Sequence, residues 1–333
     1  MKRFLHEKFR KDRFDKITQE ELADKLAMSV NIIKNLEAGR RKTKYGDELL
    51  EKICTMLGLN SEDYWVRNTY CISFFNNKGG VGKTSMVSNL ASVLVAEYDK
   101  RVLIVDCDAQ VNVTQNFDML FTKDISEKNL YQAFVKQESL MDYIYNTGYE
   151  GLDIILGHYD VSLIEPMLPT LPYKEQRFKS IIEEVRMCGY YDFILCDTSP
   201  NLGMFNNIIL RSSDGIIIPF ESEPLSLGGI GNTLEYIDKI KEEEKLSPQK
   251  NKINVMGIVI TKYESVTNIT KAITEVVEKL YGKLLFKTKI PHDVAVKKCS
   301  SEKTPISVNY SKTRVYEALV SLAKEIIDEV EEN

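Results

Sequence analysis

Two patterns of apolar residues divide the chain. Through about residue 67 apolar positions recur three and four apart, the spacing of short amphipathic helices, with no strand-like run among them. Beyond Arg67–Thr69 the pattern changes, and near-continuous apolar runs alternate with helical spacing. The runs are Tyr70–Phe75, Val102–Asp106, Leu152–Leu156, Phe193–Asp197, Gly215–Pro219, Ile253–Ile260 and Leu284–Thr288. Strands without polar alternation are buried on both faces, as in a parallel sheet covered by helices. The expected architecture is α/β, a doubly wound and mostly parallel sheet, preceded by a small all-α domain. The expected boundaries are 1–67 and 68–333.

The first of these runs leads into Phe75–Ser85, FNNKGGVGKTS, and then into a helical pattern over 84–97. A strand, a glycine-rich turn and a helix start place backbone N–H groups around a phosphate chain. Lys78, Gly79, Gly80, Val81, Gly82, Lys83, Thr84 and Ser85 are the expected cradle. Lys83 would neutralise the terminal phosphates and the Thr84 hydroxyl would ligate Mg2+. Asn77 stands where the usual GxxxxGK[ST] loop has its first glycine. Two further runs end in carboxylates. Val102–Asp106 leads to Asp106 and Asp108, and Phe193–Asp197 ends in Asp197, at the carboxyl ends of strands, where open α/β sheets bind ligands. Asp197 fits a carboxylate that holds Mg2+ through water. Asp106 and Asp108 stand together at one strand end.

The stretch KGGVGKT resembles the deviant Walker A motif of the ParA/MinD superfamily of ATPases. DCDAQVNVT resembles that family's second signature, with Ala109 in place of the usual proline, and DTSPNLG resembles its third. Similar segments continue at 214–230, 257–265 and 288–306, so the resemblance spans about residues 70–328. It implies a P-loop ATPase that uses ATP and Mg2+ and forms a nucleotide-sandwich homodimer. In such a dimer Lys78 would reach the partner's phosphates, and Lys78, Lys83 and Asp108 would be the catalytic residues, with Asp108 orienting the attacking water and Asp106 supporting the Mg2+ shell and the loop. Thr261, Pro291 and Asp293 would lie at the base. Thr261-Lys-Tyr-Glu264 is one methylene from the TKxD that reads guanine in related GTPases, so GTP stands as the alternative to ATP.

The first 67 residues carry a second pattern. Thr18 and Glu21 fit a capping box, Leu22, Ala23 and Leu26 one apolar face, and Ser29 the cap of a following helix with Ile33 and Leu36 inward. This resembles a Cro/repressor-type helix-turn-helix. The resemblance implies that Ser29, Val30, Asn31, Ile32, Lys34 and Asn35 face the major groove. Gln19, Arg40, Arg41 and Lys42 would hold phosphates. Val30 and Ile32 are apolar where the family is polar; they would read thymine methyls, or the module would dock a protein instead.

Charge changes the picture only when split. Residues 1–68 hold 15 Lys/Arg against 12 Asp/Glu, a net of +3, whereas the remaining 29 against 37 give −8. The basic excess thus sits on the helical segment. Six cysteines without CxxC spacing exclude a disulfide scaffold, and the charged N-terminus lacks a signal-peptide core. No apolar run approaches the roughly 20 residues of a membrane helix, and the acidic C-terminal helix argues against membrane attachment. The expected protein is a cytoplasmic, nucleoid-associated DNA-partition ATPase, reset by a ParB-like centromere-binding protein. The alternatives are a nucleotide-switched transcription regulator and a protein-positioning adaptor ATPase.

Overall fold

The structure is a computed structural model that describes residues 2–4, 6–37, 46–60, 65–223, 226–245, 253–264 and 268–332. The chain separates into two compact units, residues 1–68 with 188–190, and residues 69–187 with 191–333. No helix among the described residues is long and apolar enough to cross a membrane.

In the first unit, strand β1 (Lys2–Phe4) precedes helices α1 (His6–Phe14), α2 (Gln19–Lys25), α3 (Val30–Glu37) and α4 (Gly46–Met56), and β2 (Trp65–Arg67) closes it. β1 and β2 pair antiparallel, Lys2 opposite Arg67. The all-α expectation missed this ribbon because three-residue strands are too short to show a period of two. Thr18 caps α2: its hydroxyl accepts from Glu21 N at 3.2 Å while Glu21 Oε2 accepts from Thr18 N at 3.0 Å. Phe9, Leu22, Ala23, Ile33 and Ile53 form the buried centre. A buried ion pair locks it. Arg13 Nε and Nη2 donate to Glu37 at 2.6 and 3.1 Å, and Arg13 Nη1 donates to Ile17 O at 2.7 Å.

Removing one partner of a buried pair leaves an uncompensated charge. Glu37→Ala is therefore expected to destabilise this unit by about 3 kcal/mol. Hydrogen exchange resolved by unit measures it, with protection lost in α1–α3 and kept in the sheet. Uniform protection in both units would contradict the prediction.

The second unit is an eight-stranded sheet. Its strands are β3 (Tyr70–Phe74), β4 (Val102–Cys107), β5 (Ile144–Tyr149), β6 (Leu152–Ile155), β7 (Phe193–Thr198), β8 (Gly215–Glu221), β9 (Val255–Tyr263) and β10 (Leu285–Pro291). The order is β10-β9-β8-β3-β7-β4-β6-β5, parallel throughout except β5, which runs antiparallel to β6. β3, β4 and β7 are buried along nearly their whole length, as the uninterrupted apolar runs require.

The helices are α5 (Lys83–Tyr98), α6 (Asn112–Asn116), α7 (Leu130–Lys136), α8 (Ile164–Met167), α9 (Lys174–Cys188), α10 (Met204–Arg211), α11 (Leu227–Glu244), α12 (Asn268–Tyr281), α13 (Val294–Glu302), α14 (Ile306–Asn309) and α15 (Arg314–Glu332). One core joins the sheet to α5 and α15; a second joins it to α7, α9 and α10, and a third joins β8 and β9 to α11 and α12. The chain leaves β3 for β4, returns through β7 between them, and then crosses to β8 on the other side of β3. That reversal opens a crevice at the strands' carboxyl ends, where the phosphate loop and both carboxylate turns emerge. The edge strand β10 is blocked by α15, because Glu325 accepts from Lys287 N at 2.8 Å and Thr288 N at 2.9 Å.

Candidate functional site

The glycine-rich turn between β3 and α5 takes the backbone through Gly80 at φ 78° and Gly82 at φ 91°, a region costly for residues with a Cβ. Val81 is buried beneath it, and Val81 O accepts from the Thr261 hydroxyl at 2.7 Å. Asn76, wholly enclosed at the end of β3, ties the loop down. Its Nδ2 donates to Pro219 O at 2.8 Å, and its Oδ1 accepts from Lys78 N at 2.9 Å. Thr233 of α11 donates to Asn77 Oδ1 at 3.1 Å. Asn77, the departure from the usual loop, is thus used as an acceptor.

The two lysines of the loop occupy different environments. Lys83 is 7% exposed and curls under the turn, its Nζ 3.2 Å from Asn76 O and 3.4 Å from Lys78 O. Burial lowers its pKa, opposed by the charges of Asp197 and Asp108. Lys78 lies outside this cluster and is only partly buried. Its Nζ donates to Ser226 Oγ at 2.6 Å and pairs with Glu223 at 2.8 Å. That pairing pulls the Glu223 carboxyl below its ordinary range.

Thr84 and Asp197 meet across the crevice, with Thr84 Oγ1 donating to Asp197 Oδ2 at 2.7 Å. Asp197 is fully buried and its Oδ1 has no hydrogen-bond partner. Burial, then Asp106 and Asp108, raise its pKa, against Thr84 and Lys83. An unpartnered buried carboxylate oxygen beside a threonine hydroxyl is a hard-oxygen donor set that suits Mg2+. No group of three or more His, Cys, Asp or Glu among the described residues could hold an ion alone, so phosphate and water would complete the shell.

Asp106 is placed differently from the metal-shell expectation. It faces Asp197 in the register of β4 and β7, but its oxygens are spent locally. Oδ2 accepts from Thr114 N at 2.9 Å and Thr114 Oγ1 at 2.8 Å, and Oδ1 accepts from Asp108 N at 3.3 Å. It holds the turn into α6. Burial pushes its carboxyl up to about 6, against the hydrogen bonds from Thr114 and Asp108. The folded chain therefore keeps this proton to higher pH than the unfolded chain. Its contribution is fully present below the ordinary carboxylate pKa and is lost as pH rises through about 6. Melting temperatures of the wild type and Asp106→Asn, read from about pH 4 to about pH 7, check this. The wild type is expected to lose ground steadily to the variant; a pH-independent difference would contradict it.

Asp108 is 8% exposed and lines a cavity of about 500 Å³ with Glu165, Ser199, Pro200 and Asn201. Its Oδ1 accepts from Gln110 N at 3.0 Å. Glu165 holds the far wall by accepting from Met204 N at 2.7 Å and Phe205 N at 2.9 Å at the start of α10. Tyr236 of α11 donates to Gly203 O of the same turn at 2.8 Å.

A second cavity, of about 210 Å³, adjoins the loop and is mostly apolar. Gly82, Ser85, Thr261, Pro291 and Asp293 line it, with Met86, Val296 and Leu319. Two of the expected base-contacting side chains are already occupied. The Thr261 hydroxyl holds Val81 O, and the Asp293 carboxylate caps α13 by accepting from Ala295 N at 2.9 Å. Their hydrogen-bonding groups are committed to structure, which spacing alone could not show.

The expected DNA contacts lie in the first unit. Ser29, Asn31 and Lys34 are exposed on and before α3. Val30 and Ile32 are half-buried and pack against the unit's core. Gln19 Nε2 donates to Glu37 Oε2, which ties it to the Arg13 pair. Arg40, Arg41, Lys42 and the Asn35 side chain lie outside the described residues.

Sequence reasoning missed Asn76, Thr233, Glu165 and Tyr236. Asn76 alone carried a signal, since a polar amide ending a buried strand must be bonded. The others act through tertiary contacts with no local pattern.

A family model described as an AAA domain matches residues 69–255. The sporulation initiation inhibitor protein Soj of Bacillus subtilis is 31% identical over 256 residues, 77% of this chain and 97% of that protein. The chromosome partitioning protein ParA of Caulobacter vibrioides is 26% identical over 77% of this chain and 93% of its own length. A Cyanothece McdA(D38A)–ATP complex superposes with a TM-score of 0.68 at 16% identity, covering 79% of this chain and 97% of that one, a likeness of fold. With that model matching more than half of the chain, and Soj matched almost end to end, the chain belongs to the ParA/Soj family of P-loop ATPases.

Proposed function

We propose that this protein is an ATP-driven DNA-partition switch that dimerises on ATP and Mg2+ and is reset by hydrolysis. The separation of the two loop lysines carries the reading. Lys83 is enclosed within its own loop, as a cis phosphate ligand must be, whereas Lys78 stands outside it, held by Glu223 and Ser226. A cation in that position supports a role on a partner's phosphates, supplied where charge develops during transfer. The name of one relative, chromosome partitioning protein ParA, favours the same process.

In this reading the turn from Gly79 to Ser85 takes the phosphates on its N–H groups, and the cavity by Pro291 and Asp293 takes the base. Thr84 and Asp197 would hold Mg2+, which screens phosphate charge when bound. Asp108 orients the water from its cavity, and Asp106 keeps the turn that presents Asp108. Residues 1–67 form the DNA-binding helix-turn-helix domain and 68–333 the ATPase domain. Ser29, Asn31 and Lys34 meet DNA, and a ParB-like protein stimulates hydrolysis in the cytoplasm on the nucleoid.

Fluorescence anisotropy of a random-sequence duplex at fixed salt, with ATP·Mg2+ and without nucleotide, tests this. Binding that appears with ATP alone is expected. Equal, weak binding in both states would favour a transcription regulator that reads its own operator, and no binding in either state a protein-positioning adaptor.

A further inference from the structure

The cavity beside the phosphate loop has a polar pair at its rim that the reading above leaves unused. The ends of β9 and β10 bring Glu264 and His292 together, with His292 Nδ1 2.7 Å from Glu264 Oε1. His292 lines the cavity, and both side chains are about half exposed. Several other polar groups at this end are committed. Pro291 has no N–H, and His292 N donates to Tyr263 O at 3.2 Å. Thr261 and Asp293 are committed as described. Asn89 spends its amide on Ser85 O at 2.8 Å and its oxygen on Ile306 N at 3.1 Å. Lys262 pairs with Glu221 at 2.9 Å, and Lys297 is exposed to water. His292 Nε2 makes no hydrogen bond among the described residues.

We propose that the Glu264–His292 pair makes this cavity selective for a purine that carries a 6-amino group. The proposal rests on the nucleotide reading above and adds a residue pair that sets the choice of base. An ionised carboxylate only accepts, so Nδ1 carries the proton and Nε2 is left as an acceptor. An acceptor takes an N–H of adenine's 6-amino group. Opposite the 6-oxo group of hypoxanthine or guanine it meets a second acceptor with no proton between them, and a polar group facing an unmatched partner is penalised. Glu264, which stands where related GTPases read guanine with an aspartate, here acts on the histidine.

The test is equilibrium binding of ATP and ITP to the full chain at about pH 8. The wild type is expected to prefer ATP by about tenfold or more. Glu264→Gln supplies an amide that can donate to Nδ1 and turn Nε2 into a donor, so the ATP:ITP ratio should fall to about one. The position is exposed, so folding should be unaffected. His292→Phe, which keeps a ring but no nitrogen, should also bring the ratio to about one. Equal binding of ATP and ITP by the wild type would overturn the proposal, as would a wild-type ratio in both variants. Failure of the wild type to bind either triphosphate would overturn the nucleotide reading itself, and this proposal with it.

Discussion

Replacing Lys83 with alanine is expected to lower ATP turnover by at least about a hundredfold. The ammonium is almost enclosed, its environment already disfavours charge, and its two acceptors are carbonyl oxygens of its own loop. A cation kept in so dry a place interacts strongly with phosphate charge, because little water screens it. Removal also strips Asp197 and Asp108 of a neighbouring positive charge, so Asp197 would hold its proton more tightly and lose value as a magnesium ligand. Both effects act in the same direction. ATP affinity by calorimetry and phosphate release by a coupled assay should fall together. Turnover within a few-fold of the wild type would remove Lys83 from the mechanism.

Asp108→Ala should separate those two quantities. Asp108 lies at the wall of its own cavity, beyond the glycine-rich loop, so ATP affinity should change only a few-fold. Loss of a group that positions or deprotonates water should lower hydrolysis by about a hundredfold or more. The variant should therefore accumulate as an ATP-bound dimer, visible as a doubled mass by light scattering that persists for hours rather than minutes. A variant that turns ATP over at the wild-type rate would show that the water is held elsewhere.

How far these residues were legible beforehand follows from how each signal arises. The buried strands β3, β4 and β7 were readable because both faces are covered, which leaves an unbroken apolar run. β5 escaped because its run, Ile144 to Tyr149, includes Asn146, Thr147 and Gly148 at the sheet edge. The loop residues were legible because phosphate chemistry fixes their spacing. Thr261, Asp293 and Asp106 are polar groups at or just beyond strand ends. Whether such a group faces a ligand or a neighbouring backbone depends on where the next element packs, and here each is bonded to protein. Gln19 illustrates the same limit, since its bond to Glu37 exists only once α2 and α3 are packed together.

The claim that Lys78 acts on a partner's nucleotide has a direct test in mixed dimers. Lys78→Ala lacks the trans cation but keeps Asp108, and Asp108→Ala keeps Lys78. Each alone should be nearly inactive. In a one-to-one mixture, half of the dimers would pair one of each, and one site in every such pair would have an intact Asp108 facing an intact Lys78. ATP hydrolysis should then recover to about a quarter of the wild-type rate. No recovery, in a mixture shown by mass to form mixed dimers with ATP, would mean that Lys78 serves its own site.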